Sequence, residues 1–117
     1  MYFKSIADIE GLTLIEPDLY KDKRGENFEA YDTHTFLEYI NGSPTLSQQF
    51  KDKEFVLDTF SKSKQNVFRG LHGDNKTWKL ISCLYGKIYL VVAQPSTKKW
   101  VDFYLDSKTR DQVLVPA

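Results

Sequence analysis

A single cysteine, Cys83, is the first scarcity in the sequence. One thiol cannot close an internal disulfide, so the fold must rest on packing, and Cys83, set in an apolar run, reads as a buried core residue. Net charge is missing too: sixteen basic and sixteen acidic residues cancel. No long-range field then draws the chain onto nucleic acid or an anionic membrane. Nowhere do about twenty apolar residues run uninterrupted, and Met1-Tyr2-Phe3-Lys4-Ser5 lacks the apolar stretch of a secretory leader, so a cytoplasmic protein is expected. Histidine is limited to His34 and His72. Metal sites of β-barrel enzymes need about two or three His with a carboxylate, so no metal is expected, and His34 reads as an exposed helix residue. Repeats, low-complexity tracts and linkers are absent, and residues 1–117 suit one domain with one core.

What is present points to strands. Eight Phe and seven Tyr, with a hydrophobic fraction of 41%, favour a β-rich interior. Gly11 to Glu16 reads as a strand closed by Pro17, and Asn27 to Tyr31 alternates as a half-buried strand after a charged turn over 20–25. Asp32 or Thr33 can cap one short helix with Phe36, Leu37 and Ile40 as its apolar face and Asn41-Gly42 as its stop. Residues 43–52 read as a loop, Phe55 to Phe60 as a strand, and Val67-Phe68 as the start of another. Leu80 to Tyr85 and Lys87 to Ala93, parted by Gly86, look like a tight hairpin; Trp100 to Leu105 and Val113 to Val115 complete the set. Trp78 and Trp100 are expected in the core. Many short strands at regular spacing imply an all-β sandwich or jelly roll with one short helix.

The stretch Val67-Phe68-Arg69-Gly70-Leu71-His72-Gly73-Asp74 carries the chemistry. A guanidinium fork matches phosphate oxygens and an imidazole titrates near neutral pH, a pairing suited to proton transfer on a phosphorylated ligand. On these residues alone, a surface Arg beside a satisfied structural His is the favoured reading, since apparent active-site motifs are often accidental. In a regular strand Arg69 and His72 would point to opposite sides; a bulge or kink at Gly70 is expected to bring them to one side.

Four segments resemble the deoxysugar nucleotide 3,5-epimerases, the dTDP-4-dehydrorhamnose 3,5-epimerase family: Asp22 to Glu29, Phe55 to Ser61, Val67 to His72, and Lys79-Leu80 followed by Gly86. The resemblance implies a cupin-type jelly-roll barrel and an isomerase that inverts a nucleotide-diphosphate 4-keto-6-deoxy sugar at C3, and perhaps C5, for polysaccharide biosynthesis, with no cofactor. It makes His72 the base that removes the proton beside the ketone and sets Lys79 against the enolate oxygen. It gives Arg69 the diphosphate, and Arg24 and Glu29 the nucleotide portion, often in the neighbouring subunit of a homodimer. Asp58 falls where the family has a Gln-Asp-Asn substrate contact, with Leu57 and Thr59 replacing its neighbours. His72-Gly73-Asp74 and Trp78-Lys79-Leu80 are nearer to epimerases of GDP-linked 4-keto heptoses than to the rhamnose enzymes, which usually carry His-Tyr-Gln.

The family pattern continues past the position of Ala117 into a segment with a second His, a proton-returning Tyr and an Asp that orients the base. Three explanations stay open: a fragment, a short form that recruits a Tyr such as Tyr20, Tyr31 or Tyr89, or a non-catalytic relative. The alternative to an enzyme is a cupin that binds a nucleotide sugar or carbohydrate without turnover.

Overall fold

Period-two alternation sorts the short strands into layers, because successive side chains leave a strand on opposite faces. The computed structural model describes residues 1–117. Its elements are β1 (Tyr2–Ser5), β2 (Thr13–Glu16), β3 (Leu19–Asp22), β4 (Gly25–Phe28), α1 (Thr33–Asn41), α2 (Pro44–Gln49), β5 (Lys79–Ser82), β6 (Lys87–Gln94), β7 (Lys99–Asp106) and β8 (Gln112–Val115). The main sheet runs β1-β2-β8-β5 and is antiparallel throughout, while β3-β4 and β6-β7 form separate two-stranded hairpins.

Two cores lie on the two sides of the main sheet. Val113 faces Leu14 and Ile81 across its register and packs, with Leu12 and Cys83, on Val92, Phe103 and Leu105 of the β6-β7 hairpin. Leu114 faces Leu80 and turns the other way, joining Ile15 to the helical layer of Phe36, Ile40, Leu46, Phe50 and Trp78. Phe36 makes aromatic contacts with Tyr31, Phe50 and Phe55, at centroid distances of 5.3 to 5.6 Å. Gln112, buried on the Leu114 side of the sheet, donates to the Ala30 carbonyl at 2.7 Å and to Ser82 Oγ at 3.1 Å. No helix is long and apolar enough to cross a membrane.

The expected helix forms with Asp32 as its cap. The carboxylate accepts from the His34 and Thr35 amides, both at 3.3 Å, and from Thr35 Oγ1 at 2.6 Å. The Thr35 hydroxyl bond, followed by these amides, holds the Asp32 carboxyl below its ordinary range. His34 is exposed, as expected, and pairs with Glu38 one turn on at 3.0 Å. Other expectations need correction. The loop over 43–52 contains the second helix α2: Ser43 accepts from the Leu46 amide and Pro44 occupies the first turn, where its missing N–H costs nothing. The turn over 20–25 is itself most of the β3-β4 hairpin, and Asn27 to Tyr31 continues as strand only to Phe28. The Gly86 hairpin is not made, because β5 pairs with β8, and β6 instead takes an eight-residue register with β7 that buries Leu90, Val92, Phe103 and Leu105 on one side. Trp78 is buried, but Trp100 stands on the outward face of β7 opposite Ala93 and is 61% exposed.

The largest difference concerns Phe55 to Phe60 and Val67-Phe68, which form no strand. From Glu54 to Thr77 the chain enters no backbone–backbone hydrogen bond, and every residue there except Phe55 is exposed. Their strand character is real: Val56, Leu57, Phe60 and Phe68 are apolar or aromatic, yet each is at least 80% exposed. A strand exists only where a neighbour supplies the other half of its ladder, and β1 and β5, the edges of the main sheet, do not pair with these residues.

Two stability predictions follow from this packing. Phe36→Ala removes a ring that is 2% exposed and should lower the unfolding free energy in urea by roughly 3–5 kcal/mol. Trp100→Ala should stay within about 0.5 kcal/mol. The register that sets Ile15 opposite Gln112 also brings Glu16 near Asp111, whose carboxyl is raised above its ordinary value by burial first and by Glu16 second. A raised carboxyl means the folded state holds its proton more tightly, so stability falls as pH rises through the folded value. Asp111→Asn should therefore raise Tm at pH 7, and that gain should vanish as pH falls to the ordinary value of 3.8.

Candidate active site

The β3-β4 hairpin carries the first candidate residues. Its tip is closed by Asp22, whose Oδ1 accepts from the Arg24 amide at 2.8 Å while Oδ2 takes the guanidinium through Nε at 2.9 Å and Nη2 at 2.6 Å. This fork, more than the amide bonds, holds the Asp22 carboxyl below its ordinary range. Arg24 is thus presented at an exposed tip with its charge partly matched. Glu29 directly follows β4 and lines a hollow with Met1, Asp18, Tyr20 and Thr35, where the terminal ammonium pairs with Asp18.

The remaining candidates span the unpaired segment and the start of β5. Arg69 donates through Nε to Ser63 Oγ at 2.8 Å, and Asp58 is exposed. Gly70 has φ of +118°, a backbone that L side chains rarely adopt, but it lies in a segment that forms no strand, so there is no strand alternation for a kink to correct. The bend folds His72 back: a β-carbon placed on Gly70 would lie 3.8 Å from His72 Nδ1. The imidazole is in solvent rather than in the core. Asp74 then makes a tight turn, accepting from the Lys76 amide at 2.8 Å and the Thr77 amide at 2.7 Å. These amide bonds, with a smaller contribution from the Lys79 charge, hold the Asp74 carboxyl low. Lys79 opens β5 opposite Val115, on the sheet face shared by Ile81 and Val113 that is turned toward β6-β7. That face is the inner side of the barrel half.

The six candidates therefore fall into three groups: Arg24 and Glu29 on the hairpin, Asp58 with Arg69 and His72 on the solvated segment, and Lys79 at the sheet edge. The Glu29 hollow has a volume of about 90 Å³, against roughly 300–1,000 Å³ for a small-molecule pocket. A second hollow, lined by Phe3, Ile15, Tyr31, Phe36 and Leu80 among others, contains none of the six. Of the tyrosines considered as proton donors, Tyr20 lines the Glu29 hollow and Tyr31 packs at 5.5 Å on Phe55. The Tyr89 hydroxyl is engaged by Asp102 at 3.0 Å, chiefly through which its proton is held more tightly than usual, and it sits on the outward face of β6. Two further residues shape the surroundings of these candidates. Asp74 was legible as an Asp two residues before an amide it can cap. Arg110, which reaches Glu26 at 3.2 Å across 84 positions, leaves no local signal.

Comparison with known proteins places this arrangement. A family-level sequence profile described as dTDP-4-dehydrorhamnose 3,5-epimerase matches residues 7–117. The dTDP-4-dehydrorhamnose 3,5-epimerase of Salmonella typhimurium is 34% identical over 116 residues, covering 92% of this chain and 58% of its own length. That of Escherichia coli is 32% identical over 118 residues, covering 94% and 59%. Among solved structures, the Elizabethkingia anophelis dTDP-4-dehydrorhamnose 3,5-epimerase superposes with a TM-score of 0.75 at 28% identity, covering 99% of this chain and 62% of that one. The Legionella pneumophila dTDP-6-deoxy-D-glucose-3,5-epimerase, crystallised with dTDP-4-keto-L-rhamnose, gives 0.79 at 28%, covering 98% and 60%. The chain spans about three-fifths of the length of these relatives. Its strands are those of their cupin-type jelly roll, and the chain belongs to the dTDP-4-dehydrorhamnose 3,5-epimerase family.

Proposed function

We propose that this protein epimerises a nucleotide-diphosphate 4-keto-6-deoxy sugar at C3, and at C5 where the substrate allows, through an enolate. The observation that carries the proposal is the family match over residues 7–117, which includes all six candidate residues. His72 takes the proton beside the ketone; its solvated imidazole is free of any core contact that would withdraw it. A C–H bond beside a carbonyl loses its proton only where the resulting oxyanion is held, and Lys79, on the barrel side of β5, supplies that charge. Inversion is completed when a proton returns to the same carbon from the opposite face, from a donor other than these six residues. Arg69 binds the diphosphate, Arg24 and Glu29 the nucleotide portion, and Asp58 the sugar. Neither a metal nor a redox cofactor is required by these steps.

The active unit in this reading is a homodimer in which the β3-β4 hairpin of one subunit reaches the other's site. It is supported by the exposed tip at Arg24 and by the small volume of the Glu29 hollow within one subunit. The first substrate to test is a dTDP-linked 4-keto-6-deoxy sugar, the class named for the relatives, followed by a GDP-linked one, since His72-Gly73-Asp74 departs from the rhamnose-enzyme pattern. A cytoplasmic location accompanies this reading, supported by the unpaired, buried Cys83.

A second reading, a cupin that binds such a ligand without turnover, draws support from the exposure of Arg69 and His72 on a segment with no backbone pairing, apart from Lys79 on the main sheet. Incubation in D₂O separates the two. The enzyme reading expects deuterium at C3 or C5 by NMR, lost by roughly 10²–10⁴-fold in His72→Ala while nucleotide affinity persists. Lys79→Met should cost roughly 10²–10³ in the same exchange rate. Binding without exchange in the native protein would establish the non-catalytic reading instead.

A further inference from the structure

We propose that Arg110 is a positioning residue for nucleotide recognition, clamping the β3-β4 hairpin so that Arg24 and Glu29 are presented in one fixed orientation. The inference rests on the reading of that hairpin as the nucleotide-contacting element. A two-stranded ribbon is marginal in water without support from other elements. Within residues 19–28 only Leu19 and Phe28 are half-buried, so the ribbon has little apolar surface with which to hold itself on the body.

Arg110 supplies a grip. Its Nη2 meets Glu26 Oε1 at 3.2 Å, its Nη1 lies 3.5 Å from the Leu84 carbonyl, and its Cζ stands 5.2 Å above the centroid of the Phe28 ring. Glu26 and Phe28 are two apart on β4 and share a face, so one planar guanidinium covers both an acidic and an aromatic handle. The Arg110 and Glu26 side chains are 24% and 29% exposed, and a partly buried pair is screened less than a fully exposed one.

The turn that carries Arg110 is built to aim it. Arg110 has φ of +63°, a conformation uncommon outside glycine. Its amide donates to the Asp106 carbonyl at 3.3 Å, and Asp106 Oδ1 accepts from the Lys108 amide at 2.7 Å. The Ser107 amide donates to the Gly86 carbonyl at 3.0 Å, which ties the turn to the loop before β6, where Leu84 lies. Cys83 beneath that loop directs its thiol at the Tyr85 and Gly86 carbonyls, both at 3.4 Å. The anchor is therefore rigid on the side of the body and reaches outward to the hairpin. Lysine would lack both the fork and the flat cation that the two handles require.

The test uses Arg110→Met, Arg110→Lys and Glu26→Gln in the full chain. In Arg110→Met, KM for the nucleotide sugar should rise about tenfold, as expected for one charge-assisted contact, while C–H exchange at saturation stays within about twofold. Glu26→Gln should reproduce the effect, the double variant should be no worse than either single one, and Arg110→Lys should not restore KM. Amide exchange of the free protein should quicken at residues 19–28 and not in β2 or β8. A variant whose KM is unchanged, or whose kcat falls with its folded fraction, overturns the recognition role. Unaltered hairpin amide exchange overturns the clamp itself, whatever the ligand does. Native protein that binds no nucleotide sugar instead overturns the functional reading, and the recognition role with it.

Discussion

Val113 and Leu114 are neighbours in β8, both are fully buried, and they point in opposite directions. The rest of the structure depends on that pair of side chains. A central strand flanked by β2 and β5 must be apolar on both faces, and each face then recruits its own layer: the β6-β7 hairpin against Val113, the helices against Leu114. The register of β5 on β8 follows from the same requirement, since Leu80 must meet Leu114 and Ile81 must meet Val113. Lys79 is then placed without further choice, one step before Leu80 and therefore on the barrel side. A residue proposed for chemistry thus owes its direction to two core residues in a strand with no part in the reaction.

The legible and illegible parts of the fold divide along one physical line. Features decided within a few residues could be read directly, such as a cap at Asp32 or Thr33, the burial of Phe36 and Ile40, though Leu37, grouped with them, is exposed, and the alternation of Trp100 to Leu105. Features decided by a partner distant in sequence could not. Leu80 to Tyr85 and Lys87 to Ala93 look like two arms of one hairpin, but β5 finds β8 and β6 finds β7. Phe55 to Phe60 has the composition of a strand and lacks its partner. Ser43-Pro44 is ambiguous for a different reason: Pro marks a loop in one context and a first helical turn in another, and only the capping serine distinguishes them.

The candidate site shows the same division. Arg69 and His72 stand out by residue type within one short stretch, whereas Arg24, Glu29 and Lys79 are candidates only through the family resemblance. The mutual arrangement of all of them is not legible, because it depends on where a hairpin and an unpaired segment come to rest. In this chain the hairpin is held through Arg110 and Glu26. The segment from Glu54 to Thr77 is held at its ends, by Phe55 against Phe36 and by the Asp74 turn leading into Trp78 and β5. Between them, unpaired backbone and exposed Val56, Leu57, Phe60 and Phe68 give a surface suited to further strands.

In the proposed reaction His72 and Lys79 act on one ligand. Titration of the isotopically labelled protein with a dTDP-linked 4-keto-6-deoxy sugar, followed through the His72 ring Cε1–H and the Lys79 Cε–H resonances, tests it most directly. Both signals should move along a single binding curve with a shared Kd. A titration in which the hairpin signals of Arg24 respond while the His72 ring remains unchanged would contradict it.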